Sequence, residues 1–183
     1  MILALVSLAC SVTETTSDGS VQSFDEEGMS FAPPKGTIVM NFLIPSVSAK
    51  KPDSSPEENT LGPYCSISAS EHGDFTVDTI NKWGNRTSGI PTYYGLTVGD
   101  PMETTLNGET ALVAEISGNF AAEYDSKMTA AYGKQLMASI NGERIFDLFC
   151  FGPADRKSET LEIYEALLGS VQFYDPIEPT ATP

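Results

Sequence analysis

The hydrophobic positions of this chain recur mostly with a period of two, which is typical of β-strands that have one buried face. The alternation is clearest over residues 64–70, where Cys65, Ile67 and Ala69 share one side. Further strand-like runs cover 29–36, 37–45, 102–106, 110–117, 134–140, 144–151 and 170–174. We therefore expect a protein built mainly of strands. The first of these runs ends in a Pro-Gly turn and is predicted as an edge strand, and residues 46–62 as a polar surface loop.

Two segments repeat instead with the period of an α-helix. Residues 74–87 begin at Asp74, a candidate N-cap, and carry Val77, Ile80 and Trp83 on one stripe. Residues 155–168 also carry apolar side chains at helical spacing, and Gly169 follows them as the expected C-cap. The sequence therefore predicts two amphipathic helices.

Two Asn-Gly pairs, at 107–108 and 141–142, predict tight hairpin turns between strands. Consecutive hairpins require an antiparallel sheet, and amphipathic helices have to cover its faces. The order of elements is strands, helix, two hairpins, helix and a last strand. This order predicts an α+β fold with a central antiparallel β-sheet and helices packed on both faces, an α/β/α sandwich.

An apolar run at the start of the chain ends at Cys10 and is followed by a polar, acidic stretch. This pattern is typical of the end of a bacterial lipoprotein signal peptide, after which Cys10 becomes the lipidated first residue. The alternative is a first strand over residues 2–8. We divide the chain into a signal-like segment 1–10, an acidic flexible tether 11–28, a single domain 29–174 and a proline-rich tail 175–183. The expected location is the bacterial cell envelope, on the periplasmic side or at the outer membrane.

Composition narrows the range of partners. The chain has 183 residues, 40% of them hydrophobic, which is enough for a folded core, and its net charge is −15. Nucleic acid would be repelled by this charge, so we expect no nucleic-acid partner. The apolar run is too short to span a bilayer, so membrane contact is expected through the lipid anchor only.

Three cysteines are present, and two remain if Cys10 is lipidated. Cys65 and Cys150 both lie on the inward side of strand-like runs, where they either form a disulfide or remain as two buried thiols. There is no Cys-x-x-Cys pair, and His72 is the only histidine. We therefore predict no metal site.

The chain carries no motif of a nucleophilic, metal-dependent or phosphate-binding enzyme, so we predict neither catalytic residues nor a cofactor. The segment 120–132 is more informative because Phe120, Tyr124, Met128 and Tyr132 recur every four residues. Such spacing favours a short helix. The functional alternative is a long, aromatic-lined binding loop, with two further tyrosines, Tyr93 and Tyr94, beside it.

Four segments resemble PsbP-like proteins (the Mog/PsbP fold), a group that includes small bacterial lipoproteins of unknown function. They are residues 29–36, 79–83 (Thr-Ile-Asn-Lys-Trp), 106–120 and 149–153 (Phe-Cys-Phe-Gly-Pro). The resemblance extends over 29–174, although Thr37 stands where such proteins often carry tryptophan. It implies a central antiparallel sheet with helices on both sides. It transfers no activity, because members of this group serve as photosystem subunits or partner-binding proteins without a shared catalytic site.

We therefore expect a non-enzymatic, membrane-tethered extracytoplasmic lipoprotein domain that binds a protein partner or supports an assembly. The alternative function is a lipoprotein that binds a small ligand or a cation through the aromatic segment 120–132. The sequence does not predict an oligomeric state.

Overall fold

The computed structural model describes residues 13–41, 45–49, 62–71, 95–121 and 128–177. Within these ranges it contains twelve strands and one α-helix, Lys157–Ser170 (α1), which follows a 3-10 turn at Ala154–Arg156. The strands are Thr13–Thr16 (β1), Gln22–Phe24 (β2), Met29–Phe31 (β3), Thr37–Asn41 (β4), Ser46–Ala49 (β5), Tyr64–Glu71 (β6), Leu96–Val98 (β7), Met102–Leu106 (β8), Glu109–Ala121 (β9), Met128–Ile140 (β10), Arg144–Pro153 (β11) and Gln172–Phe173 (β12).

Nine strands form one antiparallel sheet in the order β1-β4-β5-β6-β11-β10-β9-β7. The ninth strand, β8, lies on the same side of β9 as β7 does. β8 pairs with residues 109–113 of β9, and β7 pairs with residues 116–118. A separate three-stranded sheet has the order β12-β3-β2, so strands from both ends of the chain flank β3. The antiparallel arrangement predicted from the sequence is confirmed.

Both predicted hairpin turns are present. Asn107 and Gly108 have φ angles of 53° and 88° between β8 and β9. Asn141 and Gly142 have φ angles of 55° and 73° between β10 and β11. Two successive positive φ angles are what a type I′ turn requires, and Asn and Gly adopt them at low cost.

One face of the nine-stranded sheet packs against α1 and the small sheet. Ile163, Tyr164 and Leu167 of α1 are buried in a common core with Phe146 and Leu148 of β11. The small sheet adds Phe24, stacked on Phe31 at a ring-centroid distance of 4.7 Å, and Phe173, which meets Phe146 edge-on at 5.1 Å. This face therefore holds the main hydrophobic core.

The opposite face of the sheet is apolar and buried as well. Its buried side chains are Leu96, Leu112, Ala114, Ile116, Ala131, Met137, Ile145, Phe149 and Phe151. The predicted helix over 74–87 falls outside the described residues. In the part of the chain that the structure describes, a helix covers only one face, so the predicted helices on both faces are not shown.

The predicted tether over 11–28 is wrong for residues 13–28. β1 pairs with β4, and β2 pairs with β3. Phe24 is only 4% exposed, and the hydroxyl of Ser17 is buried and donates to the carbonyl of Pro33 at 3.0 Å. The folded domain therefore begins about fifteen residues earlier than the predicted boundary at residue 29, because polar residues form strands when neighbouring strands satisfy their backbone groups.

Three smaller predictions also need correction. The predicted edge strand at 29–36 contains β3, which is the central strand of the small sheet. The predicted loop at 46–62 contains β5, whose Val47 is fully buried. Gly169 does not cap α1, because the helix continues to Ser170 and the backbone becomes extended at Val171.

Candidate functional site

The two inner cysteines lie side by side in the centre of the main sheet. Cys65 of β6 and Cys150 of β11 are direct partners in the antiparallel register, with their Cα atoms 4.1 Å apart. Both side chains are fully buried under α1, and the two sulfurs form a disulfide. Of the two alternatives that the sequence left open, the structure therefore has the disulfide.

Both ends of the aromatic segment 120–132 are strands, while residues 122–127 lie outside the described residues. β9 continues to Ala121 and β10 begins at Met128, so Phe120 pairs with Thr129 and Tyr132 pairs with Ser117. Tyr124, like Tyr93 and Tyr94, lies outside the described residues. The spacing of four misled the sequence analysis because alanines at 130 and 131 weaken the alternation of β10 on both of its faces.

Backbone pairing brings several neighbours of the predicted aromatic residues to one end of the sheet. Leu96, shortly after Tyr94 in the chain, pairs with Gly118 of β9. Met128 pairs with Ala121 on the other side of the same strand. The structure therefore places Leu96 and Met128 on the two sides of β9. Among the residues predicted for the aromatic site, Tyr132 is the one whose side-chain contacts are described.

Tyr132 belongs to a group of charged and aromatic side chains where α1 begins over β9 and β10. We call it the Tyr132 cluster: Glu115, Tyr132, Lys134, Lys157 and Tyr164. The Tyr132 hydroxyl donates to Glu115 Oε1 at 3.2 Å, and Lys157 Nζ lies 3.7 Å from the centre of the Tyr132 ring. Lys134 Nζ lies 5.5 Å from the centre of the Tyr164 ring. Both lysines are thus placed for cation–π contacts.

Charge and burial keep both phenols of the cluster protonated. Partial burial and the negative charge of Glu115 raise the pKa of Tyr132. Burial raises the pKa of Tyr164 further still. At neutral pH both hydroxyls are therefore hydrogen-bond donors, and neither is poised to act as a base. The contacts of the Tyr132 cluster therefore hold the start of α1 against β9 and β10.

Next to this cluster, Arg156 and Glu159 form an ion pair at the start of α1, with Arg156 Nε donating to Glu159 Oε1 at 2.8 Å. The hydrogen bonds from Arg156 hold the pKa of Glu159 below its usual range. A carboxylate in the first turn also interacts favourably with the helix dipole. This pair fixes the beginning of the helix that carries Lys157.

Four members of the Tyr132 cluster were not predicted from the sequence. One signal was available: Glu115 and Lys134 are direct partners in the β9–β10 register, as opposite charges on facing strands often are. The contribution of Lys157 and Tyr164 depends on where α1 crosses the sheet, and no local pattern in the sequence gives that crossing.

A buried arginine connects the two ends of the domain. Arg144, 7% exposed, donates from Nη1 to the carbonyl of Glu27 at 2.8 Å and from Nη2 to the carbonyl of Tyr174 at 2.8 Å. The Tyr174 backbone N–H in turn donates to the carbonyl of Gly28 at 2.9 Å. This arrangement holds the turn between β2 and β3 against the residues that follow β12.

Within the described ranges, no three or more His, Cys, Asp or Glu side chains are grouped so that they could hold a metal ion. A search of the same ranges for a helix long and apolar enough to cross a membrane finds none.

No protein-family model matches the sequence, and no curated protein matches it either. Solved structures do match. One is LpqN of Mycobacterium tuberculosis, described as involved in cell envelope biogenesis, at 14% identity and a TM-score of 0.55, with 88% of this chain and 90% of LpqN covered.

A second match is the cyanobacterial PsbP (CyanoP) of Synechocystis sp. PCC 6803. It shares 11% identity at a TM-score of 0.52, and the alignment covers 95% of this chain and 98% of CyanoP. The chain has a PsbP-like fold.

The PsbP-like fold confirms the resemblance that the sequence segments carry. At these identities the likeness extends to the fold alone, so function has to be argued from the residues of this chain.

Proposed function

We propose that this chain is a non-enzymatic, membrane-tethered domain of the bacterial cell envelope that binds a protein partner or supports an assembly. The observation that carries the proposal is the Cys65–Cys150 disulfide. Structural disulfides persist mainly in oxidising compartments outside the cytoplasm. With this pair closed, Cys10 is the one cysteine left of three, and it directly follows the apolar run.

Two further observations support a place in the cell envelope. The lipoprotein pattern at Cys10 supplies a membrane anchor for a domain that needs no spanning helix. The structural neighbour LpqN is described as involved in cell envelope biogenesis. Lipidation of Cys10 and retention by the membrane therefore form the first part of the proposal.

The surface around β8 supports the binding of a partner protein. Met102 is 63% exposed, and Asp100 and Glu103 beside it are exposed as well. No lysine or arginine occurs between residues 95 and 121. An exposed apolar side chain among carboxylates suits a partner with a basic rim.

The small-ligand alternative depended on a long aromatic loop over 120–132. Phe120 and Tyr132 lie on paired strands, and Tyr132 already contacts Lys157 and Glu115, so the described part of this segment gives the alternative no support.

The anchor is tested by membrane fractionation of the wild-type protein and the Cys10→Ser variant, both expressed in a bacterium that processes lipoproteins. We expect the wild type in the membrane fraction and the variant in the soluble envelope fraction. An identical distribution of the two proteins would contradict the anchor.

The partner surface is tested by affinity purification from the native membranes with two matched charge reversals. Glu103→Lys changes the exposed β8, and Glu14→Lys changes the equally exposed β1. We expect a stoichiometric protein partner with the wild type and with Glu14→Lys, and its loss with Glu103→Lys. Purification of an isolated monomer, or retention of the partner by all three proteins, would contradict this surface.

A further inference from the structure

We infer that the β1 edge of the nine-stranded sheet faces the membrane and that the β7–β8 edge points away from it. This orientation rests on the proposed lipid anchor at Cys10. It adds which surface of the domain meets the bilayer and which surface remains available to a partner.

The chain between the anchor and the fold is short. β1 begins at Thr13, which pairs with Asn41 of β4, so only Ser11 and Val12 separate Cys10 from a strand fixed in the sheet. An extended chain spans at most about 3.6 Å per residue, so the Cα atoms of Cys10 and Thr13 lie within about 11 Å of each other. Acyl chains on Cys10 would therefore hold β1 at the bilayer surface.

β1 lies at one edge of the sheet. It is the terminal strand in the order that runs through β4, β5, β6, β11, β10 and β9 to β7. Neighbouring strands are about 4.8 Å apart, so β7 lies roughly 34 Å from β1 across the sheet. If the β1 edge rests on the membrane and the sheet stands upright, the β7–β8 edge is carried well beyond the headgroups.

The exposed charges of the domain favour an upright sheet over one that lies with its helix-covered face on the membrane. Glu162 and Glu165 of α1 are both exposed against one exposed lysine, Lys157, and contact with the bilayer would bring the two carboxylates against anionic headgroups. The β1 edge carries Glu14 and, just after the strand, the exposed Asp18, whose charge is offset by the nearby exposed Lys35, with its Cβ beside Gly19. Of these two surfaces, the β1 edge is the better suited to lie against a membrane.

The same orientation explains why the partner surface is expected at β8. Met102 and Glu103 lie on the edge farthest from the anchor, where a second envelope protein can approach without a clash with the bilayer. A partner of the membrane-distal edge therefore needs no membrane contact of its own.

The test measures the proximity of single tryptophan probes to the membrane. The acylated full-length protein is reconstituted in vesicles of phosphatidylcholine and an anionic phospholipid, which also contain a lipid with a nitroxide on its headgroup that quenches nearby tryptophan. Thr15→Trp on β1, Thr104→Trp on β8 and Glu162→Trp on α1 are compared in a Trp83→Phe background, with thermal melting as the control for folding.

We expect most of the fluorescence at position 15 to be lost and that at positions 104 and 162 to be retained. Insertion of ten Gly and Ser residues between Val12 and Thr13 should remove most of this difference. Equal quenching at positions 15 and 104, or the strongest quenching at position 162, would overturn the orientation while leaving the anchor intact. Failure of the wild type to float with the vesicles would overturn the anchor and the orientation together.

A second measurement uses the native side chains and does not depend on the folding of tryptophan variants. An amine-reactive reagent is applied to the vesicle-bound wild type and to soluble Cys10→Ser protein, and the modification of each lysine is followed by mass spectrometry. We expect membrane binding to slow the modification of Lys35 and to leave that of Lys157 unchanged. Equal protection of both lysines would contradict the orientation.

Discussion

At the scale of single residues, Arg144 is a buried polar side chain that joins two distant parts of the domain. It is buried, and its guanidinium satisfies two backbone carbonyls from distant parts of the chain, those of Glu27 and Tyr174. Buried acceptors that lose their donor typically cost about 1–3 kcal/mol each. Arg156, in contrast, bonds to the half-exposed Glu159 at the surface.

Arg144→Met should therefore lower the free energy of unfolding by about 2–4 kcal/mol, measured by urea denaturation. Arg156→Met is the matched control, and it should cost less than about 1 kcal/mol because exposed ion pairs contribute little. Equal losses in the two variants would contradict the role assigned to Arg144.

Tyr164 makes the stability of the domain depend on pH in the alkaline range. Burial raises its pKa in the folded protein above the value near 10 of an unfolded chain. The unfolded state then loses its proton first, so the stabilising contribution is present in full below pH 10 and declines as pH rises above it. We expect urea denaturation to show a decline for the wild type as the pH rises from about 10 to about 11, and a shallower one for Tyr164→Phe. Parallel pH profiles of the two proteins would contradict this assignment.

At the scale of elements, structure set by local interactions was predictable from the sequence, and structure set by distant pairing was not. The turns at Asn107-Gly108 and Asn141-Gly142 were predictable because positive φ angles are a property of those residues themselves. β1 and β2 were not predictable, since their sequences are polar apart from Phe24 and their order comes from pairing with β4 and β3. β5 was missed for the same reason, with Val47 as its single large apolar residue.

Two glycines, Gly133 and Gly169, differ in the space available for a side chain. Gly133 lies in β10 opposite Phe151, and a Cβ atom there would stand 2.1 Å from the Cys150 carbonyl oxygen and 2.9 Å from the Phe151 Cα. Gly169 lies in α1, and outside its own stretch of the helix no atom is within 4 Å of the position that its Cβ would take. Gly133 is required by close approach of the backbone, while Gly169 only weakens the helix.

Gly133→Ala should therefore destabilise the domain by about 3 kcal/mol or more, because the sheet has to shift to relieve the clash. Gly169→Ala should stabilise it by about 0.5–1 kcal/mol, since alanine is the better helix former. Thermal and urea denaturation of both variants test the pair of expectations. A stabilised Gly133→Ala protein would show that the sheet relaxes at that point.

At the scale of the whole molecule, the disulfide links β6 to β11 over a sequence separation of 85 residues. Closing a loop of this length lowers the entropy of the unfolded chain by an amount worth about 4.5 kcal/mol at 25 °C. The double variant Cys65→Ala/Cys150→Ala should lose about 2–5 kcal/mol, measured against the wild type in urea without reductant. With reductant present, the wild type should approach the stability of the variant. An unchanged stability in both experiments would show that the bridge has no role in the folded domain.

The fold as a whole was more predictable than the candidate site. An antiparallel sheet and α1 followed from the period of the apolar positions, because burial of one face imposes that period. The Tyr132 cluster depends on the crossing of α1 over β10, which places Lys157 beside Tyr132 although the two residues belong to different elements. Such geometry is set by packing of the whole core and leaves no short sequence motif.

The pairing of β12 with β3 has a consequence for the order in which the molecule forms. A chain made from its N-terminus releases β2 and β3 early, while β12, the second partner of β3, emerges after all the other described strands. Until then the apolar residues Phe24, Met29 and Phe31 have no completed sheet around them, although all three are buried in the end. The small sheet therefore closes only after β12 has been made, and a nascent or truncated chain lacking Gln172 and Phe173 presents β3 as an unpaired strand edge to any chaperone or neighbouring chain.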